Sequence, residues 1–162
     1  MNHHYSFNAL PEADQNLLAV ATECLDLAYA PYSNFRVGAA LITESGNIVK
    51  GANQENASYS LCICGERVAL FNKAIQYPEE QVLVLAIKVS GRKAVSRPAP
   101  PCGACLQVIS EFERRQDNPI RILLQGDSDE VLCFDSTKEL LPVQFDGSFL
   151  KEHPSKGGDI GQ

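Results

Sequence analysis

Residues Val82–Ser90 read VLVLAIKVS, a nearly unbroken apolar run rich in β-branched side chains. A strand with one wet face alternates, whereas a strand apolar throughout is expected to be buried on both faces, with helices above and below it. Its neighbours in the chain supply such helices. Upstream, apolar spacing predicts a helix from about Cys64 to Gln76, stopped before Pro78. Downstream, the Pro-rich loop GRKAVSRPAPP (residues 91–101) leads into a second helix from about Gly103 to Arg115.

Farther out, IRILLQ (120–125) and VLCFD (131–135) read as strands joined only by GDSDE, too short for a parallel crossover. That pair is therefore expected to run antiparallel. Toward the N-terminus, FRVGAALIT (35–43) and IVKGANQE (48–55) are extended candidates joined by the turn ESGN. Before them, Leu17, Leu18, Ala21, Leu25 and Ala28 recur at helical spacing from about Glu12 to Ala30, and APYSN breaks the helix. A short helix is expected near STKELL (136–141), ended by Pro142. The order α-β-β-α-β-α-β-β-α predicts an α/β fold, a three-layer α/β/α sandwich around a five-stranded mixed sheet. Residues 12–150 would form its single domain. Residues 1–11 are expected to be irregular, and 151–162 a mobile tail too poor in apolar residues to pack.

Composition bounds the function. With 44% apolar and 21% charged residues the chain is an ordinary globular sequence. Its net charge of −6 argues against a nucleic-acid partner, which needs a positive surface, but not against a small neutral ligand. No secretory signal and no membrane-crossing apolar run is visible, so no membrane association and a cytoplasmic location are expected. In that compartment six cysteines read as metal-binding or catalytic thiols rather than disulfides.

Four of these thiols sit at predicted helix starts: Cys62 and Cys64 in SLCICGERVALF (60–71), Cys102 and Cys105 in PAPPCGACLQVISEF (98–112). Together they could close a structural four-cysteine zinc site, whereas a catalytic zinc takes three protein ligands and leaves a position for water. Two features favour the catalytic site. Glu66 follows Cys64 by two residues, and first-turn side chains tilt back beyond the helix end, where a zinc-bound water needs a proton acceptor. The histidines His3, His4 and His153 all lie in the terminal segments, so a three-thiolate site is the natural reading. Cys24 and Cys133 read as core residues.

The spacing of CGER and PCGAC resembles the zinc-dependent deaminase pattern. More specifically, YAPYSNFRVGAALIT, GANQENASYS, CICGERVALF, PCGACLQVISEF and ELLPVQF occur in the order of the short, single-domain cytidine deaminases and are similar to them from about Tyr29 to Phe145. The resemblance implies one zinc per chain, held by Cys64, Cys102 and Cys105, with Glu66 as proton shuttle. Cys62 matches a position that is not a ligand. Asn53 and Glu55 match the pair that binds the ribose hydroxyls, and Phe35 an aromatic packed against the pyrimidine. Ala57 falls on a substrate contact, and the Gly65 amide on a donor to the pyrimidine carbonyl. Tyr59 and Phe145 match aromatics supplied by a neighbouring subunit of a homotetramer, and Arg67 a donor to the ligand sulfurs. The chain departs at Gly65, where the family usually has alanine; because the residue stays small, a mild effect is expected.

The implied reaction is hydrolytic deamination of cytidine and deoxycytidine in pyrimidine salvage, with a small-molecule nucleoside as partner. Two readings compete with it. One is a deaminase of the same fold acting on a related aminopyrimidine nucleoside of the blasticidin-S kind. The other is a zinc-stabilised binding protein without catalysis, which the presence of Glu66 opposes.

Overall fold

The computed structural model describes residues 3–151. Six strands form one sheet: β1 (His4–Ser6), β2 (Arg36–Thr43), β3 (Ile48–Ala52), β4 (Val82–Ser90), β5 (Arg121–Gln125) and β6 (Glu130–Phe134). Their order across the sheet is β1-β6-β5-β4-β2-β3. The helices are α1 (Glu12–Glu23), α2 (Gly65–Gln76), α3 (Gly103–Arg114) and the short α4 (Ser148–Lys151).

VLVLAIKVS is β4, and it lies inside the sheet between β2, to which it runs antiparallel, and β5, to which it runs parallel. Alternate residues of the central strands serve two cores. Leu41, Leu85, Ile87, Ile122 and Leu124 face Leu70 of α2 and Ile109 and Phe112 of α3. Ala40, Ala86 and Leu123 pack on the other side with Leu17, Leu18 and Ala21 of α1. This is the expected three-layer sandwich: β4 is apolar on both sides through its middle because Leu85, Ala86 and Ile87 meet helix layers in turn, while Leu83 near its start is exposed. The β5–β6 pair is antiparallel, as its short connection requires. In the β2–β3 turn, Gly46 adopts φ 84°, a left-handed conformation that a side chain disfavours.

Three expectations need correction. The sheet has six strands, not five, because His4–Ser6, within the stretch expected to be irregular, pairs antiparallel with β6. Three residues are too few for alternation to register, and the pairing satisfies backbone groups that the edge of β6 would otherwise leave open. The first helix does not run to Ala30; α1 ends at Glu23 and a 3-10 turn covers Cys24–Leu27. Near STKELL only a 3-10 turn, Thr137–Glu139, is present. Of the tail expected over 151–162, Lys151 ends α4 and the rest lies outside the described residues.

Candidate active site

Cys64 and Cys102 are the N-cap residues of α2 and α3, and Cys105 is in the first turn of α3. The sandwich brings these helix starts together, so the three sulfurs lie within 4.8 Å of one another, with Cys102 and Cys105 3.3 Å apart. Among the described residues this is the group of thiols, imidazoles and carboxylates able to hold a metal ion. Such crowding perturbs the thiols strongly. A hydrogen bond from Cys105, helped by Arg67 and Cys102, lowers the Cys64 thiol to about 5, while the same partnership pushes Cys105 far up. Three sulfurs this close cannot all ionise without a cation between them.

Cys62 stands apart. Its sulfur turns to the Asn56 backbone, accepting from the amide at 3.3 Å and facing the carbonyl at 3.7 Å. The four-thiol arrangement is therefore not assembled, and the donor set is three sulfurs.

Glu66, one residue into α2, is 4% exposed, and its Oε2 has no hydrogen-bond partner. Burial, foremost, raises its carboxyl to about 7, where it can both take and return a proton. Arg67 lies against the sulfurs of Cys64 and Cys105, which raise its own pKa against the opposing effect of burial. Its Nη2 donates to the Cys62 carbonyl at 3.5 Å, and its buried Nε has no partner. The unpaired Glu66 oxygen, an acceptor, fits a bound polar molecule such as water, and the Arg67 Nε–H, a donor, fits the neighbouring sulfurs in their ionised, metal-ligating form.

Cys64, Cys102 and Glu66 border a cavity of about 310 Å³ whose walls also include Phe35, Asn53 and Glu55. Its assembly runs through Gln54, which bridges Tyr29 on one side and Ile63 on the other. That stitch draws the YSN loop, the NQEN segment and the start of α2 into one wall. Asn53 is buried; its Oδ1 accepts from the Val37 amide at 2.8 Å and its Nδ2 donates to the Phe35 carbonyl at 2.9 Å. It thus braces β2 as well as lining the cavity. Larger recesses elsewhere, such as one of about 630 Å³ beside Arg36 and Arg92, hold no metal-ligating cluster among the described residues.

The other expected contacts lie outside this wall. Ala57 is exposed on the loop after β3. Tyr59, 72% exposed, meets Tyr32 edge-on at 5.7 Å and borders an adjoining recess that shares Ser33, Glu55 and Cys62 with the cavity. Phe145, also exposed, is away from the cavity. Sequence reasoning passed over Ile63, Ala99 and Pro100 in the cavity wall. Ser33 also escapes sequence reasoning, because nothing in APYSN tells which residue the hydroxyl meets.

The family description "Cytidine and deoxycytidylate deaminase zinc-binding region" matches residues 11–117. The chain belongs to this family. A cytidine deaminase of Halalkalibacterium halodurans is 42% identical over 81% of this chain and 92% of its own length. One from Sporosarcina psychrophila is 38% identical over 85% and 92%. The crystal structure of cytidine deaminase from Burkholderia pseudomallei superposes with a TM-score of 0.68 at 40% identity, covering 84% of this chain and all of that one. Membership makes zinc the cofactor and hydrolytic deamination the class of reaction, and the three-sulfur set with its buried, unpaired acid fits both.

Proposed function

We propose that the protein deaminates cytidine and deoxycytidine to uridine and deoxyuridine, releasing ammonia. The observation that carries this reading is Glu66, buried with one carboxylate oxygen unpaired, on the wall that also holds Cys64 and Cys102, whose sulfurs lie within 4.8 Å of that of Cys105. Cys64, Cys102 and Cys105 would hold one zinc, which supplies a Lewis acid able to give hydroxide from water near neutral pH. Glu66 takes a proton from the attacking water and delivers it to ring nitrogen 3, which makes carbon 4 electrophilic. The hydroxyl adds to carbon 4; Glu66 then takes the remaining hydroxyl proton and gives it to the amino group, so that the carbon–nitrogen bond breaks, ammonia leaves and a carbonyl remains. Three thiolates outweigh a divalent cation by one charge. Arg67 and the N-termini of α2 and α3 offset that excess.

Phe35 packs on the base, and Asn53 and Glu55 meet the ribose hydroxyls. The Gly65 amide donates to the base carbonyl, and Ala57 contacts the nucleoside. The active form is a homotetramer in which Tyr59 and Phe145 complete a neighbouring pocket. Its setting is pyrimidine salvage in the cytoplasm, where thiols stay reduced; no helix among the described residues is long and apolar enough to cross a membrane.

The test is ammonia release by the zinc-loaded protein from cytidine, deoxycytidine, cytosine and cytidine monophosphate, with Glu66→Gln beside the wild type. Both nucleosides should react. The monophosphate should fail, because the Glu55 carboxylate repels it. Glu66→Gln should keep zinc and fold but lose activity by about 10²–10⁴-fold or more, since an amide cannot carry the proton. Near-normal turnover in that variant would remove Glu66 from the chemistry, and a wild type inert on both nucleosides would overturn the reading.

A further inference from the structure

Glu55 stands on a loop beyond the end of β3, half-buried, with no regular element to orient its side chain. Its backbone is tied, since its amide donates to the Tyr29 carbonyl at 2.8 Å. Its carboxylate is held from one side only, by the turn at Tyr32 and Ser33. Oε2 accepts from the Tyr32 amide at 2.8 Å and the Ser33 amide at 3.3 Å, and Oε1 accepts from the Ser33 hydroxyl. That hydroxyl also accepts from the Phe35 amide at 3.0 Å. A serine hydroxyl has one proton to give, and here it goes to Glu55.

We infer that Ser33 is a positioning residue for the ribose-binding end of the cavity, fixing the Glu55 carboxylate and the Phe35 backbone in one arrangement. The inference rests on the proposed nucleoside deamination. A carboxylate offers about four acceptor sites. Three are taken by the turn, so the remaining one, on Oε1, is the one presented to a sugar hydroxyl. The cavity is lined by Ser33, Phe35, Asn53 and Glu55 together, which places this acceptor at its wall. The turn itself is shaped for the purpose: Asn34 has φ 54°, a left-handed conformation that costs a non-glycine residue energy. Asn53 closes the same network from the other side through the Phe35 carbonyl. The Ser33 hydroxyl is also the foremost cause that holds the Glu55 carboxyl below its ordinary range, which keeps it an acceptor.

A serine bonded to the amide two residues on is also a common turn former, and that role alone would produce the Phe35 contact. The experiment separates the two. Ser33→Ala leaves both backbone amides on Oε2, and Ser33 is exposed, so the zinc-loaded variant should fold with unchanged metal content and thermal midpoint. Its KM for cytidine should rise about tenfold, the range expected for a lost hydrogen bond to a charged group, with kcat little changed. For 2′,3′-dideoxycytidine, which lacks the 2′ and 3′ hydroxyls, wild type and variant should have the same KM. Calorimetric affinity for uridine should fall in parallel, and Ser33→Thr should restore both. An unchanged KM for cytidine, or equal losses on cytidine and the dideoxy analogue, would overturn the role of Ser33 while leaving the deaminase reading intact. A wild type that neither deaminates cytidine nor binds uridine would overturn both.

Discussion

A Cβ placed on Gly65 would lie 2.7 Å from the Val37 carbonyl oxygen and 3.3 Å from Ala52 Cα. The start of α2 therefore sits closer to β2 than an alanine allows, and the missing methyl is not the mild substitution its size suggests. The neighbour is backbone, and it is already in use: Val37's carbonyl accepts from the Asn53 amide at 3.0 Å. In Gly65→Ala, helix propensity would favour alanine by at most about 1 kcal/mol. Overpacking against a fixed carbonyl costs about 1–3 kcal/mol. The contact should win, so the urea midpoint of the zinc-loaded variant should fall, with a net loss of about 1 kcal/mol. Because the strain reaches Asn53, KM for cytidine should rise as well. A midpoint at or above the wild type would mean that β2 yields without cost.

At the scale of elements, α3 both supplies two of the sulfurs and carries the C-terminal stretch along its flank. Gln107, Ser110 and Arg114, spaced along one face, hold the Phe145 carbonyl, the Gln144 side chain and the Asp146 carboxylate respectively. Asp146 is held further by the hydroxyl and amide of Ser148. Those bonds, with Ser148's hydroxyl foremost and Arg114 helping, lower its carboxyl to about 2. A folded pKa below the unfolded value gives a contribution present above the ordinary aspartate value of about 3.9. It is lost as pH falls from there through about 2. A carboxyl-carbon NMR titration should find Asp146 near that low value, and Ser148→Ala should move it up toward the ordinary range. No movement would mean that Ser148 is not the anchor of this stretch. The same scale explains what was legible in the sequence. Apolar runs and helix starts marked by cysteines are local signals, so β4, α2, α3 and the candidate thiols could be read directly, while the choice of Cys64, Cys102 and Cys105 as one set came from the family resemblance. The pairing of His4–Ser6 with β6 and the grip of Ser33 on Glu55 join residues far apart in sequence, and no local period records them.

At the scale of the whole molecule, the described residues leave large apolar side chains exposed in the single chain. On α2, Phe71 and Ile75 point outward one turn apart, the latter 81% exposed. Leu61 and Tyr59 are exposed on the approach to the same helix, and Val143 and Phe145 on the stretch held by α3. Exposed aromatics and aliphatics of this kind are what a closed assembly of identical chains would bury, and the proposed homotetramer supplies that cover. An isolated subunit would leave the cavity wetter, which weakens both the packing on the base and the hydrogen bonds to the sugar. Activity should therefore follow assembly. Light scattering and ammonia release measured together over a dilution series should fall in step. Phe145→Ala should raise KM for cytidine while zinc content stays whole, because its side chain lies away from its own chain's cavity and its carbonyl tie to Gln107 survives the change. A monomer as active as the concentrated protein would refute the shared pocket and leave the chemistry of Glu66 and the three thiols untouched.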